Sequence, residues 1–201
     1  MKDIKGELLN SIELHMSEVL PAILPDSAQD LVDKVALLPK EIEILHLDVM
    51  ESDVWAPIGK DFEAHLMVEY PEDLIERWID RGAKRVLVHK LTPKILELRS
   101  RVELGLAIEL SVPLESVWSE IAQVDFVQIM SIATIGAQGH PFDALAFDRI
   151  REVRNKFPDM IISVDGGVSV ENYQILREMG VKRLVVGSHF NELWTYLTKR
   201  Y

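Results

Sequence analysis

Eight short β-branched runs, separated by amphipathic stretches of helical length, constrain the fold of this chain more than any other feature. The strand candidates are Val19–Leu24, Glu43–Met50, Glu63–Val68, Arg85–His89, Glu103–Ile108, Asp125–Met130, Ile161–Asp165 and Arg183–Val186. Helix candidates are Ala28–Leu37, Pro71–Arg81, Pro93–Arg101, Leu114–Ala122, Ala144–Lys156, Val170–Met179 and His189–Lys199. Several of these open on proline or serine followed by acids, as in Tyr70-Pro71-Glu72-Asp73 and Ser169-Val170-Glu171, which are helix-start signals. A strand-helix-strand alternation demands parallel strands with crossover helices, and eight strands close a (β/α)8 barrel of the TIM type. An open doubly wound sheet has the same alternation, but no glycine-rich dinucleotide fingerprint follows the first strand.

One helix is missing from the series. The stretch between Met50 and Phe62 is too short for a loop plus a full helix, so the second helix is expected to be shortened or absent, or the wall there to be closed by another subunit. Residues 1–18 form a short N-terminal extension. Its amphipathic stretch, Leu8 to Val19, is expected to be a helix capping the barrel bottom or packing on a neighbour. With 201 residues and 48% hydrophobic composition, the chain is long enough for one sizeable core, and residues 1–201 are expected to form a single barrel domain.

Composition also excludes classes of function. There is no cysteine, hence no disulfide and no thiolate metal site. A net charge of −11 argues against a nucleic-acid surface. No apolar run approaches the roughly 20 residues of a membrane span, and the acidic N-terminal stretch does not read as a signal or transit peptide. A cytoplasmic protein without a membrane partner is expected. An anionic metabolite is still compatible, since backbone N–H groups bind phosphate locally.

Chemistry-bearing residues fall at the ends of the strand runs. His46 and Asp48 lie in HLDVM, His65 in HLMV and Asp165 in VDGG. Strand residues two apart face the same way, about 6–7 Å apart, so His46, Asp48 and Met50 share one face, as do His65 and Met67. Active sites of such barrels sit at the C-terminal strand ends. Two imidazoles and two carboxylates converging there form a nitrogen and oxygen donor set suited to one divalent metal. His89 ends the fourth strand on the same rim, and His140 and His189 lie near later loops. Trp55, Trp78, Trp118 and Trp194 are scattered and read as packing anchors.

The motifs PAIL (Pro21–Leu24), HLDVM (His46–Met50), HLMV (His65–Val68), the QIM run with its glycine loop (Gln128–Gly139), VDGG (Val164–Gly167) and VVGS (Val185–Ser188) occur in this order. In this they resemble the ribulose-phosphate 3-epimerases, over about residues 19–190. The resemblance implies that His46, Asp48, His65 and Asp165 bind a catalytic divalent metal, with Asp48 and Asp165 doubling as the acid/base pair. It implies that Met50, Met67 and Met130 line the reaction centre. Gly136, Gly139, Gly166, Gly167, Gly187 and Ser188 would hold the substrate's phosphate.

The implied reaction interconverts D-ribulose 5-phosphate and D-xylulose 5-phosphate by two-base proton transfer at C3 through a metal-stabilised enediolate. Removing a proton from one face and returning one to the other needs two acid/base groups. The enediolate's negative charge calls for an electrophile, a role a metal fills. Zinc is the first expectation, and the donor set also admits iron, manganese and cobalt. The chain departs from the family pattern at Ala22, where serine is usual, at Glu51-Ser52 in place of Asp-Gly, and at Ala133-Thr134-Ile135. These departures keep open a 3-epimerase of a related ketose phosphate such as a hexulose 6-phosphate, or a non-catalytic sugar-phosphate-binding barrel. Sister decarboxylases and synthases use an Asp-x-Lys motif, and Asp48-Val49-Met50 has no lysine. The expected partners are a small phosphorylated sugar and further copies of the chain, as a dimer or larger homo-oligomer.

Overall fold

In a computed structural model, residues 17–132 and 139–199 are described. They form a closed barrel of eight parallel strands in sequence order. The strands are β1 (Glu18–Ile23), β2 (Ile44–Val49), β3 (Asp61–Leu66), β4 (Arg85–Val88), β5 (Glu103–Ile108), β6 (Phe126–Met130), β7 (Ile161–Asp165) and β8 (Arg183–Val186). The helices are α1 (Ala28–Ala36), α2 (Ile75–Asp80), α3 (Pro93–Leu96), α4 (Trp118–Ile121), α5 (Leu145–Lys156), α6 (Val170–Glu178) and α7 (Phe190–Thr198). Gly136 and most of the stretch from Leu8 to Val19 lie outside the described residues, so the capping helix expected there has no counterpart to compare. Val19 itself belongs to β1. No described helix is long and apolar enough to cross a membrane.

Alternation along each strand explains both sides of the wall. In β2 the odd positions Leu45, Leu47 and Val49 are buried outward under the helices, while His46 and Asp48 take the inward positions between them. Inside the barrel Leu87, Ala107, Phe126 and Met130 form an apolar layer. Below it, toward the N-terminal strand ends, sits a layer of charges. Arg85 reaches Glu63 at 3.0 Å and Glu18 at 2.9 Å, and Arg183 reaches Glu103 at 2.7 Å.

The helices are held by local chemistry. Ser27 caps α1 by accepting from the Asp30 N–H at 3.1 Å. Ser169 and Asn172 form a reciprocal capping box on α6. Three expected helices are partly 3-10: Pro71–Arg81 is a 3-10 turn at Pro71–Asp73 followed by α2, Pro93–Arg101 is α3 followed by a 3-10 turn at Glu97–Ser100, and Leu114–Ala122 is a 3-10 turn at Leu114–Ser116 followed by α4. Hydrophobic spacing over so short a span does not distinguish i→i+3 from i→i+4 bonding.

The segment between β2 and β3 contains no helix, as its length requires. Its own side chains close the wall. Trp55 packs on Phe62 and edge-on to the fully buried Trp78, with ring centroids 5.1 and 5.4 Å apart. The Arg81 guanidinium stacks over Trp78, 4.6 Å from the ring centre. Asp53, in the left-handed backbone region at φ 45°, ties this plug together. It accepts from Arg81 Nη1 at 2.7 Å, from Trp78 Nε1 at 3.1 Å and from Arg77.

Candidate metal centre

The parallel register delivers the cluster. β2 and β3 pair so that Asp48 lies beside His65, and His46 beside Glu63. Since all four occupy inward positions, two adjacent strands place two imidazoles and two carboxylates inside one quadrant of the barrel. β7 adds Asp165 at its last residue, next to Met130 of β6.

Atoms able to ligate a metal converge. One such atom from each of His46, Asp48, His65 and Asp165 can be chosen so that all lie within 4.8 Å of one another. His46 Nε2 is 3.2 Å from Asp48 Oδ1, 3.2 Å from His65 Nδ1 and 3.8 Å from Asp165 Oδ2. His65 Nδ1 is 3.3 Å from Asp48 Oδ1 and 3.8 Å from Asp165 Oδ2. Both imidazoles are fully buried, and the two carboxylates keep a small exposed edge at the mouth. This donor chemistry fits a divalent transition ion.

The far nitrogens of both imidazoles are also engaged. His46 Nδ1 lies 2.6 Å from Glu63 Oε1, and His65 Nε2 lies 2.9 Å from His89 Nε2. His89 stacks on His65 and has Glu109 3.3 Å from its Nδ1. Asp165 accepts from Gln128 Nε2 at 3.0 Å, and Gln128 in turn accepts from Ser163 Oγ at 3.2 Å.

These surroundings set the charge states. Burial pushes Asp165 up to about 6, with Asp48 among the neighbours adding to the rise. Burial acts on Asp48 in the same sense, but hydrogen bonds from His46 and His65 outweigh it and hold that carboxyl well below the usual range. For His46, burial favours the neutral ring, and Asp48 and Glu63 together reverse this, leaving it well above its ordinary value. Burial, reinforced by the charge of His65, holds His89 down at about 3, so it is neutral near pH 7. Two neighbouring carboxyls displaced in opposite directions form an arrangement able to give and take a proton.

Above the cluster opens a cavity of about 520 Å³ including its open mouth, lined by Asp48 and Asp165, Met67 and Met130, and the backbone turns after β7 and β8. Gly139, Gly166, Gly167, Gly187 and Ser188 all border it, as do Ala22, His140 and His189. Met50, expected beside the other methionines, is not among the lining residues. It opens the turn closed by the Asp53 N–H on the Met50 carbonyl at 2.9 Å, which carries the chain off the strand direction. The turn after β7 needs glycine twice. Gly166 and Gly167 have φ of 113° and 63°, and a Cβ on Gly167 would stand 2.2 Å from the Phe142 nitrogen.

Glu63, Gln128 and Ser163 were not expected as members of the site. Glu63 lies two residues before His65 on the same face, and its place in the site shows only through its register with His46.

Fold and cluster together define a (β/α)8-barrel protein with a candidate metal centre at the C-terminal mouth. The model of the Ribulose-phosphate 3 epimerase family matches residues 18–191, and the chain belongs to that family. Named ribulose-phosphate 3-epimerases are similar to it. The one from Chlamydia trachomatis is 28% identical over 176 residues, 75% of each chain, and the one from Aquifex aeolicus 27% over 172 residues, 73% of this chain and 76% of that one. The Schizosaccharomyces pombe protein is 29% identical over 133 residues, 63% of this chain, and the match spans 58% of that relative's length. Among solved structures, Mycobacterium tuberculosis tryptophan synthase superposes with a TM-score of 0.65 at 14% identity, covering 92% of this chain and 88% of that one. That likeness is one of fold.

Proposed function

We propose that this protein is a divalent-metal-dependent epimerase that interconverts D-ribulose 5-phosphate and D-xylulose 5-phosphate by proton transfer at C3. The observation that carries the reading is the convergence of His46, Asp48, His65 and Asp165 within 4.8 Å beneath a cavity bordered by glycine turns. The names of its relatives in the same family support the choice of substrate.

The phosphate is held by backbone N–H groups of the turns at Gly166-Gly167 and Gly187-Ser188, the usual anion position of such barrels. That grip sets the sugar's carbonyl end over the cluster. Asp48, from β2, and Asp165, from β7, flank C3 from opposite sides of the mouth. In one direction Asp48 removes the C3 proton and Asp165 delivers a proton to the other face; in the reverse direction the roles exchange. Gln128 positions the Asp165 carboxylate by its 3.0 Å hydrogen bond. Met67 and Met130 give a polarizable wall that holds no exchangeable proton. When bound by His46, Asp48, His65 and Asp165, a divalent ion supplies positive charge against the oxygen that becomes anionic as C3 is deprotonated.

Activity on D-ribulose 5-phosphate, measured with zinc-, manganese- and cobalt-loaded protein, tests the reading. Asp48→Asn and Asp165→Asn proteins that still fold are expected to lose turnover by about 10²–10⁴-fold. Wild-type turnover in both would refute the two-base assignment. A second substrate is favoured by one observation, that Ala22 rather than serine borders the cavity. A panel including hexulose 6-phosphates reads that preference out as relative kcat/KM.

A further inference from the structure

Beneath the cluster, the charged layer inside the barrel bottom touches it at one point. Glu63 is completely buried, and its two carboxylate oxygens face opposite ways: Oε1 is 2.6 Å from His46 Nδ1 and Oε2 is 3.0 Å from Arg85 Nη1. Arg85 is itself anchored by Glu18 at 2.9 Å and lies 3.5 Å from Glu103. An ion-pair layer that merely filled the barrel would have no need to reach the imidazole. The plain structural reading gives Glu63 only the task of neutralising Arg85, yet Glu18 and Glu103 already flank that guanidinium.

We infer that Glu63 is a positioning residue for the metal centre: clamped by Arg85, it accepts a hydrogen bond from the Nδ1–H of His46, fixes the ring in the tautomer whose Nε2 lone pair faces the cluster, and makes that nitrogen a stronger ligand. The chemistry is forced by valence. With a metal ion in place of its second ring proton, His46 would keep one N–H, which a carboxylate on Nδ1 holds there, leaving Nε2 to ligate. Carboxylate partners of this kind raise ligand basicity and fix ring orientation, and their loss typically lowers metal affinity about 10–100-fold. The two imidazoles of the site differ in this respect. Behind His65 stands a second imidazole near the rim, His89, whereas behind His46 stands a buried carboxylate locked by a guanidinium. His46 is thereby the rigid corner of the site.

The inference rests on the metal-centre reading above, and the test separates the two. Metal-stripped wild-type, Glu63→Gln and Glu103→Gln proteins are titrated with Co²⁺ alone, and both dissociation constants and visible d–d spectra are recorded. Glu103→Gln removes a charge from the same layer without touching His46. Glu63→Gln is expected to bind Co²⁺ about 10–100-fold more weakly than wild type, with an altered d–d spectrum, while Glu103→Gln keeps the wild-type spectrum and affinity. Equal affinity and spectrum in Glu63→Gln would overturn the role of Glu63 and leave the metal reading standing. Failure of the wild type to bind Co²⁺ would overturn both. Should Glu63→Gln not fold, histidine ¹⁵N NMR of the Zn²⁺-loaded wild type decides. A His46 protonated at Nδ1 and ligating through Nε2 supports the inference, and ligation through Nδ1 refutes it.

Discussion

Replacing Asp53 by alanine tests whether the helix-free crossing between β2 and β3 is closed by the plug around Trp78. The carboxylate accepts a charge-assisted bond from Arg81 at 2.7 Å and a neutral one from the Trp78 indole at 3.1 Å. Its bond to Arg77 joins a half-exposed guanidinium and adds little. Losing the Arg81 bond costs about 1.5–3 kcal/mol, and leaving the indole N–H of a fully buried tryptophan without its acceptor costs about 1–3 kcal/mol. Solvent reaches one edge of Asp53, which is 17% exposed, so the lower part of the sum, about 2.5–4 kcal/mol, is expected. For a chain of this size that lowers Tm by about 5–16 °C. Asp53→Asn, which keeps an oxygen for the indole, should lose roughly half as much. Thermal unfolding followed by circular dichroism reads both. A fall of less than about 2 °C in the alanine variant would show that apolar burial alone holds the plug.

The same residue gives a pH signature. Burial alone would raise the Asp53 carboxyl, but Arg81 and Arg77 outweigh it and hold it below its ordinary value. A depressed folded-state value contributes stability above the unfolded value of about 4 and loses it as pH falls through the folded one, so the Tm gap between wild type and Asp53→Asn should shrink in acid. A gap unchanged from pH 7 to pH 3 would contradict this. In the barrel interior, a Cβ on Gly105 would stand 2.4 Å from the Phe126 ring, which is fully buried. Gly105→Ala should therefore lose about 1–3 kcal/mol in urea unfolding, and unaltered stability would mean that the ring can shift freely. Stripping the metal with a chelator should lower Tm, because an ion that binds only the folded state stabilises it by about 2.7 kcal/mol at 100-fold excess over Kd. An identical Tm with and without Zn²⁺ would count against a tight site.

The barrel was legible because strand-length runs alternate with amphipathic stretches of helical length, and side chains two apart on a strand share a face. Expected and observed strand bounds coincide at β5, β7 and β8 and differ elsewhere by at most two residues, as at β1, which is Glu18–Ile23 rather than Val19–Leu24. His46, Asp48, His65 and Asp165 were legible for the same reason: residue type and strand position together specify where an inward side chain points. The supporting residues were not. Glu63 reads as an ordinary charged strand residue until its register with His46 is known, and that register belongs to strand pairing, not to local pattern. Asp53 was equally hidden, since its three donors come from a helix more than twenty residues away. The position of Met50 follows from the turn closed by Asp53, which spacing along a strand does not encode.

In the proposed reaction Asp48 and Asp165 exchange the proton at C3 of a ketose phosphate. Incubating the metal-loaded protein with D-ribulose 5-phosphate in D₂O and following the sugar by ¹H NMR measures this directly. D-xylulose 5-phosphate is the expected product, with loss of the C3 proton signal as solvent deuterium enters, and neither change is expected with the Asp48→Asn protein. Substrate that keeps its configuration and its C3 proton in the presence of folded, metal-loaded wild type would contradict the proposed reaction.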